Sequence, residues 1–242
     1  MAFPASAQVN IEQYRNRPGV SGKVGLQFGG AKGNTDFVTG GGAANISYNT
    51  GTYAVLLLGK GLLGFSGGKR FSNEGLTHLR YTWIKPHRFH PEGFAQIDYS
   101  RPRKLKFRVL AGAGLRAQVA EGESSSIFIG TSFMWERENL DLTSGSIHLH
   151  RTSILRTSNY VNVSIQKHAE ISLTGYYQAM LSDLDDVRIL ATLEITSKIV
   201  GPLQHTTALN YRRDSKPPDG IKKNDLALGT SFSVRFGSKE KK

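Results

Sequence analysis

The sequence predicts an all-β fold, a single closed antiparallel up-and-down transmembrane β-barrel of about twelve strands. Three observations predict it. Apolar and polar residues alternate along most of the chain, turn-forming residues interrupt the alternation at short intervals, and glycine is frequent inside the alternating segments. Alternation of period two puts successive side chains on opposite faces of a strand, whereas a helix would scatter the same residues around its axis. Glycine weakens a strand interior, so its recurrence at Gly40, Gly41, Gly42, Gly112 and Gly114 points to close backbone approach or sharp curvature. Closing a barrel needs both.

The first three segments, near residues 18–30, 36–49 and 52–66, alternate least cleanly. Tyr53, Val55 and Leu57 form an apolar set, but Leu56 and Leu58 share their strand. Sorting sharpens downstream: Leu79, Tyr81 and Trp83 oppose His78, Arg80 and Thr82, and Ala95, Ile97 and Tyr99 oppose Gln96, Asp98 and Ser100. The clearest case runs from Lys104 to Val119. One parity holds Leu105, Phe107, Val109, Ala111, Ala113, Leu115, Ala117 and Val119, and the other includes Lys106, Arg108 and Arg116. Next, Ile127, Ile129, Phe133 and Trp135 oppose Gly130, Ser132 and Glu136, and Leu155, Val161 and Val163 oppose Arg156, Tyr160 and Asn162. Ile171, Leu173 and Tyr177 oppose Ser172, Thr174 and Gln178, while Val187, Ile189 and Leu193 oppose Arg188, Thr192 and Glu194. The last segment sets Leu226, Leu228, Phe232, Val234 and Phe236 against Gly229, Ser231, Ser233 and Arg235.

Turn chemistry separates these segments. Breaks fall at Gly33-Asn34-Thr35, Asn49 to Gly51, Gly67 to Lys69, Pro86 to Gly93, Arg101 to Arg103, Glu121 to Ser124, Leu140 to Ser146, Lys167-His168, Asp183 to Asp186, Gly201-Pro202 and Pro217 to Gly220. Eleven breaks give twelve strands, and one miscounted hairpin would give ten or fourteen. Pro217-Pro218 cannot join a ladder and is expected in a solvent loop.

Alternation alone also suits a soluble sandwich, so the membrane assignment needs more. The longest apolar stretch, Val55 to Phe65, is broken by Gly59, Lys60 and Gly61. It falls short of the roughly 18 residues that a membrane-crossing helix needs. A barrel is compatible with the modest mean hydropathy of -0.32, because only every second strand residue meets lipid. Aromatics gather near expected strand ends, at Tyr53, Trp83, Tyr99, Phe107, Trp135, Tyr211 and Phe236, as interfacial girdles do. The absence of cysteine excludes disulfides and thiolate metal sites and fits an oxidising compartment.

At the start, Ala5-Ser6-Ala7 before Gln8 reads as a signal-peptide cleavage box. The expected organisation is a signal remnant and periplasmic segment over 1–17, a barrel over 18–236 and a charged tail over 237–242. On the final strand, Gly229, Phe232, Val234 and Phe236 resemble the terminal signal read by the outer-membrane barrel-assembly machinery, although six residues follow Phe236.

Two further stretches resemble one family. Gly29-Gly30-Ala31-Lys32-Gly33-Asn34-Thr35-Asp36, after Gly25-Leu26, looks like the N-terminal strand and turn of the salt-induced outer membrane proteins, also called domain of unknown function 481. The segment from Tyr211 to Asp225, with Pro217-Pro218-Asp219-Gly220 and Lys222-Lys223, is similar to that family's last hairpin. The resemblance brackets about residues 20–236 and implies a barrel in the bacterial outer membrane. It implies no activity, because the family carries no catalytic motif.

The formal net charge is +12, which raises nucleic-acid binding as a function class. That class wants the basic residues on one groove-fitting element, and here they are spread over many hairpins. With the N-terminus in the periplasm, the outward-pointing hairpins carry Lys69, Arg70, Arg101, Arg103, Lys104, Arg213, Lys222 and Lys223. Arginine and lysine clusters suit phosphates, so this rim is expected to contact lipopolysaccharide. The polar parity adds Arg80, Lys106, Arg108, Arg116, Arg156, Arg188, Arg212 and Arg235, against Asp98, Glu136 and Glu194. A basic lumen has two readings: an anion-preferring pore, or an interior plugged by pairing of those arginines with the carboxylates.

Enzymatic readings find little support. Histidines occur at His78, His87, His90, His148, His150, His168 and His205, and His148 with His150 would share a strand face without a carboxylate to complete a metal site. No serine sits in a nucleophile elbow, and Asp183, Asp185 and Asp186 lie in too short a loop for a calcium-binding hand. No catalytic residue, metal site or cofactor is therefore expected. The expected role is structural or envelope-adaptive, with a narrow anion channel or a partner-binding subunit of an envelope complex as alternatives.

Overall fold

The computed structural model describes residues 18–33, 36–84, 88–143, 145–146, 148 and 151–237, without the side chain of Arg151. The expected signal box (Ala5 to Gln8), the tip residues Asn34, Thr35, Pro86 and His87, His150, and the tail from Ser238 lie outside them. Twelve strands follow in chain order: β1 (Gly19–Ala31), β2 (Phe37–Asn49), β3 (Tyr53–Ser66), β4 (Lys69–Trp83), β5 (Phe89–Ser100), β6 (Leu105–Gly122), β7 (Ser125–Leu140), β8 (Arg151–Gln166), β9 (Glu170–Met180), β10 (Asp183–Val200), β11 (Leu203–Asp214) and β12 (Asn224–Gly237). Each pairs antiparallel with its sequence neighbours, and β1 closes on β12 with Val24 opposite Val234. Closure leaves no strand edge to template aggregation. The fold class and strand number match the sequence expectation.

The two faces are sorted inside out relative to a soluble protein. Phe28, Leu226, Phe133 and Phe89 are each at least 65% exposed on the outer wall, whereas Asp98, Glu136, Arg116, Arg156 and Asn162 are at most 1% exposed in the lumen. Apolar surface this continuous is stable only against lipid. Even the shortest strand, β9, has 11 residues, enough to cross a bilayer core at a tilt of about 45°. Aromatics mark both ends of the wall. Tyr53, Trp83 and Phe236 sit toward the end that holds the barrel's first and last residues, with Tyr53 stacked on Tyr81 at 5.7 Å between centroids. Tyr99, Phe107, Trp135 and Tyr211 sit toward the opposite end, here called the mouth.

Glycine has two distinct uses. Gly67 and Gly68 both hold positive φ (54° and 74°) in the two-residue β3–β4 turn, the geometry that matches strand twist. Gly130 on β7 serves packing instead, since a Cβ there would lie 2.1 Å from the ring of Tyr160 in the lumen.

Four expectations need correction. Register shifts between Leu105 and Phe107, so Leu105 turns inward and Lys106 outward, where its side chain is 55% exposed and pairs with Asp141. A β-bulge of this kind reverses parity locally, which removes Lys106 from the lumen. β5 begins at Phe89, inside the expected break. Pro91 is tolerated there because it pairs with Leu115 of β6 while pairing with β4 starts only at Glu92. The β9–β10 turn lies at Leu181-Ser182, and Asp183 to Asp186 form a bulged start to β10. Finally, β12 extends through Gly237, one residue beyond the expected barrel end.

Candidate functional site in the barrel lumen

The lumen mixes apolar side chains, among them Leu62, Leu110 and Met134, with many polar ones, and the mouth half is filled by guanidinium and carboxylate groups. β5 presents Asp98, which accepts two hydrogen bonds from Arg108 of β6 (3.0 and 2.9 Å) and one from Arg103 (3.4 Å). β7 presents Glu136 and Glu138. Arg188 of β10 donates to both Glu136 oxygens (2.8 and 2.9 Å) and lies 3.0 Å from Glu138. Arg156 of β8 reaches Glu136 at 3.4 Å and forks onto Asp186, both oxygens at 3.0 Å. Arg108 completes the cluster at 3.6 Å from Glu136 and 3.5 Å from Glu138. On β11, Asp214 accepts from Arg188 Nε (3.0 Å) and Arg212 (3.1 Å).

The decisive contact is topological. β7 and β10 are separated by β8 and β9 in the barrel, so the Arg188–Glu136 pair spans the lumen instead of bridging adjacent strands. Bidentate guanidinium–carboxylate pairs are strong and directional. In a dry interior their value lies in completeness, because removing one partner strands the other. Asp98, Glu136, Glu138, Asp186 and Asp214 here face Arg103, Arg108, Arg156, Arg188 and Arg212.

A second cluster lies toward the termini. Arg80 of β4 donates to Glu92 of β5 (2.9 Å) and to His78 Nε2 (3.4 Å), while His78 Nδ1 meets Gln96 at 3.1 Å. The Arg80 guanidinium lies 5.0 Å from the Phe94 ring centroid, and Tyr160 of β8 donates to Glu92 across the lumen at 3.4 Å. Arg116 lies 4.1 Å over Phe128, and Arg235 pairs with Glu170 at 3.3 Å. Between the two clusters, Arg80, Arg108, Arg188, Arg212, Met134 and Tyr176 help line a chamber that is partly open to solvent.

The mouth is not open either. The β11–β12 loop, residues 215–223, reaches across it to the β5–β6 turn, where Lys104 Nζ donates to the Asp219 carbonyl at 2.8 Å. From the β7–β8 loop, Ser146 donates to Asp219 and His148 Nδ1 meets it at 3.2 Å. Pro217, Pro218 and Ile221 are half-buried, with Leu105 and Leu140 below them. The prolines therefore fold over the mouth, where the sequence had suggested a solvent loop.

Of the eight expected lumen cations, all but Lys106 face inward. Among the expected rim cations, Lys69, Arg70, Arg101, Arg213, Lys222 and Lys223 are exposed. Arg103 instead turns inward onto Asp98, with its side chain 10% exposed, and Lys104 is half-buried against the loop. Phe232, Val234 and Phe236 point outward from β12, while Gly229 lies on its lumen parity. Among the expected acids, Asp98 and Glu136 are central to the network, and Glu194 is half-buried on β10. Sequence reasoning missed Glu138 and Asp214, although each shares parity with a recognised lumen residue (Glu136 and Arg212). It missed Glu92 and Asp186 because both fell in expected turns. Nothing local signals the role of Asp219.

The family model described as "Protein of unknown function, DUF481" matches residues 23–236. Among curated proteins, none matches the chain in sequence. Solved structures with related shapes include the NanC porin (9% identity, covering 90% of this chain and 99% of that one, TM-score 0.47) and the KdgM porin (9%, 90% and 98%, 0.44). Another is the translocator domain of the autotransporter NalP from Neisseria meningitidis (10%, 90% and 87%, 0.45).

Proposed function

The chain belongs to the DUF481 family, and we propose that it is an outer-membrane barrel with a structural, envelope-adaptive role, closed by its own ion pairs and basic at its outer rim. The observation that carries this reading is the cross-lumen Arg188–Glu136 pair at 2.8 Å inside a wall whose outer face is apolar. Arg108, Arg156 and Arg188 are already bound to carboxylates, so the plugged reading is favoured over the pore. With the termini in the periplasm, the exposed Lys69, Arg70, Arg101, Arg213, Lys222 and Lys223 face outward, at the level of lipopolysaccharide phosphates. Guanidinium groups recognise such phosphates by paired hydrogen bonds.

Two measurements test the proposal. Purified protein in planar bilayers is expected to stay electrically silent, and steady conductance with anion preference would favour the channel instead. Charge reversal at Arg70, Arg101 and Arg213 is expected to reduce lipopolysaccharide co-purification, and unchanged co-purification would remove the rim from the account.

A further inference from the structure

We propose that the space beneath the β11–β12 loop is a binding site for a small free oxyanion, held by Arg103 and Arg212. A partly open cavity lies between the loop and the ion-pair network. Its wall carries five cationic groups, from Arg103, Arg108, Arg188, Arg212 and Lys222. The carboxylates on the same wall are Glu138, Asp214 and Asp225, and Asp98 and Glu136 behind it already hold Arg108 and Arg188.

Two of the guanidiniums have hydrogen-bonding capacity to spare. Arg108 and Arg188 each fork onto several carboxylates. Arg103 makes one long contact, 3.4 Å to an Asp98 that Arg108 already occupies. Its side chain is nine-tenths buried, and its Nε has no protein partner. Arg212 donates to Asp214, which it shares with Arg188. A guanidinium offers five donors in a planar fork, and leaving buried donors unmet is costly. An oxygen-rich anion between Arg103 and Arg212 would supply acceptors that the shared carboxylates do not. Carboxylate, sulfate and phosphate groups share this chemistry. A lipid headgroup in the surrounding leaflet meets the outer wall, whereas this cavity opens toward the lumen and the loop. The loop contacts of Asp219 with Lys104, Ser146 and His148 stand over the cavity, so binding is expected to require their release.

The site is independent of whether the lumen conducts, and it is tested on full-length protein refolded in detergent free of lipopolysaccharide. Isothermal titration with inorganic phosphate is expected to show saturable binding. Arg103→Gln and Arg212→Gln should each weaken it at least about tenfold, the scale of a lost charge-assisted hydrogen bond. Lys167→Gln, exposed in the β8–β9 turn at the opposite end of the barrel, should leave it unchanged. Heat-modifiable migration on a detergent gel confirms that each variant folds. Should Arg103→Gln not fold, Arg103→Lys and Arg212→Lys retain the charge but lose the fork and should still weaken binding. No binding to wild type overturns the site. Equal binding by wild type and the Arg103 and Arg212 variants overturns it too. A response to added lipopolysaccharide alone, abolished by Arg213→Gln, would assign the anion chemistry to the rim and also refute the proposal.

Discussion

The mouth half and the termini half of the lumen obey the same parity rule with different chemistry. Toward the termini, the short polar contacts join neighbouring strands: Thr196 with Thr206 at 2.9 Å, Asn162 with Thr174 at 2.7 Å, Ser126 with Ser164 at 2.8 Å. Contacts that skip a strand there are longer, as for Arg235 with Glu170 (3.3 Å) and Lys23 with Thr206 (3.4 Å). At the mouth, contacts just as short cross the lumen, with Arg188 on Glu136 at 2.8 Å. Hydroxyl pairs reinforce the wall, while the guanidinium network ties opposite walls together. Length explains the division of labour, since arginine and glutamate reach the barrel axis whereas serine and threonine cannot.

This comparison predicts unequal losses. Glu136→Gln removes the carboxylate that Arg188, Arg156 and Arg108 share, and breaking a buried pair from one side costs about 3–5 kcal/mol. Thr196→Val in the termini half removes one neutral hydrogen bond and should cost about 1 kcal/mol. Urea unfolding of both variants in lipid vesicles, followed by tryptophan emission from Trp83 and Trp135, measures the gap. Equal losses would mean that the two halves contribute alike and that the network is ornamental to stability.

A smaller effect sharpens the picture at the boundary between the halves. Gly130→Ala would place a methyl group 2.1 Å from the Tyr160 ring, and Tyr160 holds Glu92 across the lumen. Overpacking of this kind costs about 1–3 kcal/mol. Loss of stability that Tyr160→Leu in the same chain restores would confirm the clash, and an unaltered urea midpoint would show that the ring swings aside freely.

The difference between the halves also marks what the sequence made legible. Parity identified the wall, the strand number and seven of the eight lumen cations, because outward and inward sets follow from a period fixed by backbone geometry. Lys106 was misplaced because a bulge inserts a residue that no periodicity announces. Asp186 and Glu92 were hidden by turn-forming neighbours, Asp183 with Asp185 and Pro91 with Gly93, whose local preference the ladder overrides. The pairing of Arg188 with Glu136 depends on which strands face each other after closure. It is a property of the circle and absent from any single strand. Pro217-Pro218 announces a segment that cannot pair, yet says nothing about where that segment lies.

That last point yields the smallest and most local expectation. Asp219 gathers contacts from two other loops, but its side chain is 45% exposed and that of His148 is 29% exposed, so solvent screens the pair and each contact is worth little alone. Asp219→Ala is therefore expected to change global stability by less than about 1 kcal/mol. It should nonetheless loosen the loop, because the contacts of Ser146 and His148 with its side chain are lost while Lys104 keeps the backbone carbonyl. Limited proteolysis with trypsin, which cuts after Lys222 and Lys223, separates the two effects. Faster loop cleavage with an unchanged urea midpoint is expected if the loop is a cover held on by few contacts. Unchanged cleavage would show that Pro217, Pro218 and Ile221 hold it down by apolar packing on Leu105 and Leu140, which would make the loop as permanent a part of the plug as the arginines beneath it.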